Sequence, residues 1–491
     1  MSYRPRSSKG CGNCRARRIR CDTARPTCSQ CKRARFSCPG YRDPQQLQFR
    51  NESLAVRARV HAENQLGPVT NSRPAKLNHL SPLSVPSPLS GSIRDESVRF
   101  FFRYYVLNDL YDIPIHPSVS QMADLAAISP AVSMALAAVG LASLSNIRKS
   151  AGLMAIASKE YTEALSLTGT ALSDPTSDAT LAAVLLLSMF EVLTCRVRHS
   201  LDSWLHHTRG AMTLVEMRGA EQIRNTVGMR LFTHLRVQII TSCLYWHTPL
   251  PAALVQWSSQ AMSLRSVSDA KADELVDLVA RVIEVIIYTE THDDIQATTE
   301  ASCVDQLLLQ WRQNLPPRWA YRTALRPPGR HSNRGDTEGL FFDDTYHIYP
   351  DAWACNIWNL YRTSRILLNR LIHVRIPKNN YSPSHPTTEV LNNLAMEIAQ
   401  SVPYALRQVG PSRAAGVDLA SSADYLGGFI TMWPLYMAAD ASALGSALRE
   451  WAIERLEVIG HCMGIGKAQF MARILRSAQQ FEARLTSGET N

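Results

Sequence analysis

The amino-acid sequence predicts a mainly all-α protein in two unequal parts, a small cysteine-rich head and a large all-helical body. Three observations carry this. Six of the 11 cysteines fall between positions 11 and 38. Twelve basic residues crowd into residues 1–42 against one acid, Asp22, which makes that segment +11, while the rest of the chain, with 40 bases and 41 acids, is −1. From residue 96 onward the chain is rich in Ala and Leu at helical spacing, with few alternating β-branched runs.

Size and composition bound the answer. The chain has 491 residues, 45% hydrophobic and 19% charged, enough for two to four domains of ~100–200 residues and at least one large core. Global disorder and collagen-like classes are excluded. The most apolar segment, Leu181 to Cys195, is broken by Glu191, short of the ~18 uninterrupted apolar residues of a membrane span, so no membrane partner is expected. The basic N-terminus has no apolar stretch behind it, so secretion is not expected. The thiols are therefore expected to stay reduced.

The head comes first. Cys11, Cys14, Cys21, Cys28, Cys31 and Cys38 follow the pattern C-x2-C-x6-C-x6-C-x2-C-x6-C, and the first three recur 17 residues later as the last three. Disulfides conflict with the expected compartment, and unconnected core thiols would not repeat at fixed spacing in so polar a segment. Mononuclear sites use four ligands, usually with histidine, and no histidine lies within residues 1–50. A metal cluster remains. Six thiolates are too many for one tetrahedral zinc and too few for two separate four-cysteine sites; two zinc ions fit if two thiolates bridge. Such a cluster carries a charge of about −2 and leaves the head near +9, still attractive to a polyanion. Each C-x2-C should open a short helix, whose N-terminal amides favour thiolate charge. Apolar material here is essentially Ile19 and Phe36, so metal binding, on the order of 10 kcal/mol, must supply the fold.

At Cys11 to Cys38 the chain resembles the DNA-binding domain of fungal binuclear zinc-cluster transcription factors. The resemblance implies two short helices around two zinc ions. Cys11 and Cys28 would bridge, Cys14 and Cys21 would complete one ion, and Cys31 and Cys38 the other. Pro26 matches the proline of that family's inter-half loop, and Asp22 also fits. The run Arg15-Ala16-Arg17-Arg18-Ile19-Arg20 corresponds to the family's recognition helix, which reads a CGG-type triplet in double-stranded DNA. The usual form is R-x-R-K-x-K, so Arg18 and Arg20 stand where lysines are usual. Arg18 matches the main base-contacting position, and arginine can donate two hydrogen bonds to guanine O6 and N7. Arg15, Arg17 and Arg20 are expected to hold phosphates, as are Lys32, Arg33 and Arg35 in the second half. The same basic clusters can serve nuclear import.

Residues 43–95 follow. The stretch 66–92 is rich in Pro and Ser and reads as a disordered tether. Residues 44–66 could form a helix, but Leu47, Phe49, Leu54, Val56 and Val60 hold no sustained heptad. Either monomeric binding or dimerisation through the body is expected. The segment from Arg42 to Ser53 resembles a stretch that often follows the cluster in one subgroup of these factors.

The body spans 96–490. A hydrophobic opening at Ser97 to Leu110 is followed by helices at 131–147, 151–172, 178–194, 200–218, 226–246, 270–292, 301–314, 350–374, 387–408, 422–445 and 448–483, with 325–345 and 376–386 as loops. The pieces Thr180 to Glu191 and Trp204 to Ala211 resemble the all-helical regulatory domain of many of these factors, a likeness that extends over most of 96–490. No metalloprotease, nucleophile-elbow or dinucleotide fingerprint occurs. Gly464-Ile465-Gly466-Lys467 hints at a phosphate loop, but His461 and Ala468 occupy positions that need Gly and Ser/Thr, so it reads as a helix break. His206 and His207 are adjacent, face different directions on a helix, and read as packing or capping residues. Cys195, Cys243, Cys303, Cys355 and Cys462 read as buried thiols.

The sequence thus points to a nuclear, sequence-specific DNA-binding regulator: a zinc-cluster module at 9–42, a tether at 43–95 and a helical regulatory domain at 96–490. Expected partners are double-stranded DNA, the transcription machinery or its co-regulators, and a small-molecule effector. The family resemblance favours an activator acting on RNA polymerase II. A helical ligand-binding or enzymatic protein with an accessory zinc module is the rival. An RNA-binding module would need stacking aromatics that are nearly absent from residues 9–38.

Overall fold

The computed structural model describes residues 11–17, 19–24, 26–39, 88–105, 119–195, 198–264, 267–288, 293–326, 339–375, 385–406 and 425–487. The chain divides into two compact units, residues 1–84 and 85–491. The 44–66 helix and the Pro/Ser-rich part of the tether up to residue 87 lie outside the described residues.

In the first unit, α1 (Gly12–Ala16) and α2 (Ser29–Arg33) are five residues each. Each is opened by a cysteine: the Cys14 amide donates to Cys11 Sγ at 3.5 Å and the Cys31 amide to Cys28 Sγ at 3.4 Å. The sulfur takes the role that a side-chain oxygen plays at an ordinary N-cap.

In the second unit, α3 (Pro88–Tyr104) begins inside the stretch assigned to the tether. Proline suits the first turn of a helix, where its missing N–H has no partner to lose, so its presence did not mark the boundary. There follow α4 (Val119–Ile128), α5 (Pro130–Arg148), α6 (Ala151–Ala171), α7 (Asp178–Thr194), α8 (Arg198–Arg218), α9 (Thr226–Trp246), α10 (Ala252–Ser263), α11 (Val267–Tyr288) and α12 (Asp294–Gln313). After these come β1 (Arg322–Leu325) and β2 (Thr345–Ile348), then α13 (Ala352–Val374), α14 (Pro386–Ala405), α15 (Tyr425–Ala441), α16 (Ala447–Cys462) and α17 (Gly466–Ser487).

The core runs through α5 and α7, which are buried on nearly all sides. α5 is long and apolar enough to cross a membrane, yet most of it is enclosed by protein, as in the core helix of a soluble fold. Its Ser129 cap accepts the Val132 amide at 3.4 Å, and α3 crosses it so closely at Gly140 that a Cβ would run into the Ser97 carbonyl. A second layer, α13 to α15, surrounds buried charge. Arg365 forms a two-pronged pair with Asp305 at 2.7 and 2.8 Å, and Asn369 donates to the same carboxylate at 3.1 Å. Arg362, fully buried, pairs with Glu397 at 2.9 Å and donates to the Tyr349 hydroxyl at 2.7 Å. The rings of Tyr321, Tyr349 and Trp358 lie 5.2 to 5.8 Å from its guanidinium.

Besides the earlier start of α3, three features differ from the sequence reading. β1 and β2 pair antiparallel, Arg322 opposite Ile348 and Leu325 opposite Thr345, across the segment read as a loop; strands of four residues are too short to show alternation. α4 and α10 were not anticipated, being short. The span read over 448–483 is two helices, parted at the helix break read at Gly464–Lys467, where Gly464 adopts φ +68°. Lys467, in the supposed phosphate loop, is buried with Nζ 3.4 Å from the Trp204 ring. Finally, Cys303 and Cys462 are exposed, whereas Cys195, Cys243 and Cys355 are buried. His206 is exposed while His207 meets the Tyr161 hydroxyl at 3.0 Å, as adjacent helical positions require.

Candidate metal centre and nucleic-acid interface

The six cysteines of the head converge. Cys11, Cys14, Cys21 and Cys28 form one set and Cys11, Cys28, Cys31 and Cys38 a second, with all sulfurs of a set within 4.8 Å of one another. Cys11 and Cys28 belong to both sets and are wholly buried. Their sulfurs lie 3.6 Å apart, and Cys14 Sγ is 3.7 Å from Cys28 Sγ.

Thiols packed this tightly resist ionisation one by one. Burial, then the Cys11 sulfur, pushes the Cys14 thiol up to about 12. At Cys28 the Cys31 amide pulls downward, but burial and the facing sulfurs of Cys31, Cys11 and Cys14 carry the thiol well above its usual range. Burial likewise raises Cys31. Cys21 falls, to about 7, chiefly through the Cys11 amide. A divalent cation among them removes this penalty, because metal-bound thiols lose their protons outright. The donor set fits zinc: six soft sulfurs in two tetrads sharing two members supply two tetrahedral ions.

The two halves are built alike. α2 ends in a left-handed turn, with Arg35 at φ +55°, the Phe36 amide on the Cys31 carbonyl at 2.9 Å and the Arg35 amide on the Lys32 carbonyl at 3.2 Å, the hydrogen-bond pattern of a Schellman close. In α1, 17 residues earlier, the Ile19 amide meets the Cys14 carbonyl at 3.0 Å. Between the halves, both Asp22 carboxylate oxygens accept the Ser29 amide at 3.2 Å. The Ser29 hydroxyl also bonds Asp22 and holds its carboxyl below the usual range. Asp22 therefore staples the loop that carries Pro26.

The basic side chains of Arg17, Arg20, Lys32, Arg33 and Arg35 are exposed. Arg15 lies on α1, and Arg18 falls outside the described residues. Sequence reasoning missed Asn13, whose side-chain amide donates to the Ser37 carbonyl at 2.9 Å, and the approach of Arg17 to Phe36. Their signal was the place where the 17-residue repeat fails to repeat.

Residues 9–48 match the family described as the fungal Zn(2)-Cys(6) binuclear cluster domain, and residues 100–478 match the fungal specific transcription factor domain. The chain belongs to the fungal binuclear zinc-cluster transcription factors. The cluster domain of this family binds two zinc ions, and the sulfur geometry above accommodates both. Among relatives, Transcription factor dbaG of Emericella nidulans is 29% identical over 150 residues, which cover 29% of this chain and 35% of that protein. White-opaque regulator 2 of Candida albicans is 50% identical over 42 residues, 9% of each chain. The matched stretch is thus about a third of the first relative and a tenth of the second. No solved structure matches the chain.

Proposed function

We propose that this zinc-cluster factor acts in the nucleus as an activator of RNA polymerase II transcription, reading a CGG-like triplet in double-stranded DNA. The observation that carries this is the pair of four-sulfur sets sharing Cys11 and Cys28, set among exposed arginines and Lys32. In this reading Cys11 and Cys28 bridge two zinc ions, Cys14 and Cys21 complete the first, and Cys31 and Cys38 the second. Each ion lends the short helices a rigidity their few apolar contacts cannot. Arg18 donates to guanine in the major groove. Arg15, Arg17, Arg20, Lys32, Arg33 and Arg35 neutralise phosphates and set the register.

The cluster module covers 9–42, a tether reaches to residue 87, and the helical body from Pro88 onward carries regulation. Co-regulators of the transcription machinery and a small-molecule effector are its partners there, and the chain has no catalytic role. Selection from random duplex DNA with the zinc-loaded full-length protein tests the reading. Enrichment of a motif containing CGG is expected. Recovery of no motif would overturn sequence-specific DNA binding.

A further inference from the structure

We infer that Phe36 is a positioning residue for DNA binding: its ring holds the Arg17 guanidinium and makes the first half of the cysteine repeat the pre-ordered half. The inference rests on the DNA-binding reading above.

The Arg17 guanidinium carbon lies 5.4 Å from the centroid of the Phe36 ring, within the ~6 Å range of a cation–π contact. Arg17 is exposed, and Phe36 is 51% exposed, in a head that has few apolar residues. A guanidinium lying on a ring keeps its N–H donors free at its edge, because they lie in its own plane. Arg17 can therefore be held by Phe36 and still donate to a phosphate or a base.

The contact is half of a seam. Asn13 in α1, whose carbonyl accepts the amide of Arg17 just past the helix end at 3.0 Å, donates to the Ser37 carbonyl at 2.9 Å and reaches the Cys31 sulfur at 3.8 Å. Asn13 in α1 and Arg17 just after it thus grip one short stretch of the second half. The 17-residue repeat maps Asn13, Arg17 and Phe36 onto Gln30, Ala34 and Ile19. Ala34 has no guanidinium to lay down, and Ile19 offers no π face. The cysteines are two-fold in pattern, but the seam is one-sided. Arg17 gives up rotamer freedom before DNA arrives, so it loses less on binding.

The test is a double-mutant cycle on the zinc-loaded full chain, using a duplex enriched by the selection above. Phe36→Leu keeps apolar bulk but removes the π face, and zinc content reports whether the cluster stays intact. Phe36→Leu is expected to weaken binding by roughly two- to fivefold, the size of an exposed cation–π contact, and Phe36→Trp to match or exceed the parent chain. In an Arg17→Gln background Phe36→Leu should have no further effect. Equal weakening in both backgrounds, or failure of Phe36→Trp to sustain binding, would assign Phe36 a purely structural role. A readout independent of DNA keeps the two proposals separable: the Arg17 δ protons should show a ring-current shift by NMR that Phe36→Leu abolishes. If no duplex is enriched but that shift is present, the DNA-binding reading fails while the pairing stands; if the shift is absent, the pairing itself is refuted.

Discussion

The head and the helical body solve the same problem with opposite means. Among the described residues of the head, the wholly or nearly wholly buried apolar side chains are Cys11, Cys14, Cys28 and Cys31, while Ile19 and Phe36 remain 39% and 51% exposed. Two five-residue helices cannot hold themselves in water. The body instead buries a continuous apolar cluster drawn from helices along its whole length. It then spends part of that stability on enclosed ion pairs such as Arg236 with Asp273 and Arg365 with Asp305. The information that folds the head is concentrated in six side chains; that of the body is spread over dozens. Perturbations should therefore separate the two parts cleanly.

Removing the metal should separate them most. A strong chelator at neutral pH is expected to withdraw on the order of 10 kcal/mol from the head, abolishing DNA binding. The far-UV helical signal, carried almost wholly by the body, should remain. Binding that survives chelation, or a helical signal that collapses with it, would break the comparison.

The reverse perturbation lies in the body. Arg365→Met leaves the buried Asp305 with Asn369 as its remaining side-chain partner, and an uncompensated buried carboxylate costs roughly 3–5 kcal/mol. The urea midpoint of the body should fall accordingly while zinc content stays at two ions. The double variant Arg365→Met/Asp305→Leu should recover much of the loss, since a matched apolar pair leaves no orphaned charge. A double variant no better than the single would mean that the pair itself, and not the orphaned charge, carries the stability.

These contrasts also explain what the sequence made legible. The cysteines were readable because metal chemistry depends on ligand type and spacing, which are one-dimensional. The long helices were readable because their apolar stripes repeat over many turns. Phe36 looked like residual core, and Arg17 like a phosphate contact; only the fold of the second half brings them together. Nothing in the sequence sets Arg362 apart from the other arginines of α13, yet three rings, two of them delivered by the β-ribbon region, enclose it. Contacts made by chain reversal leave no periodic trace. Cys303 and Cys462 failed for a simpler reason: apolar neighbours in sequence are not neighbours on a helix face.

Acid should act on the body in a graded way. Burial, and then the Arg362 charge, lowers His347 from 6.5 to about 3. The unfolded chain thus binds a proton at this site that the folded chain refuses. Stability contributed by neutral His347 is complete above pH 6.5 and is lost as pH falls from there toward 3, by at most about 1.4 kcal/mol per pH unit. His347→Gln should flatten that slope, read from urea midpoints on the acid side. An unchanged slope would place the acid sensitivity elsewhere, and Glu191, which burial raises, works in the opposite sense.

The smallest effect belongs to the head's surface and concerns binding alone. Lys32 sits exposed at the end of α2, so Lys32→Gln should leave zinc content unchanged and alter stability by no more than about 0.5 kcal/mol. A lysine that neutralises one phosphate releases about one counterion, so its loss should reduce the slope of log affinity against log salt by ~0.9. Affinity should drop by a similar factor on matched and mismatched duplexes, because a phosphate carries no sequence. Loss confined to the matched duplex would move Lys32 from positioning to base reading, and the second half of the repeat would then share in recognition.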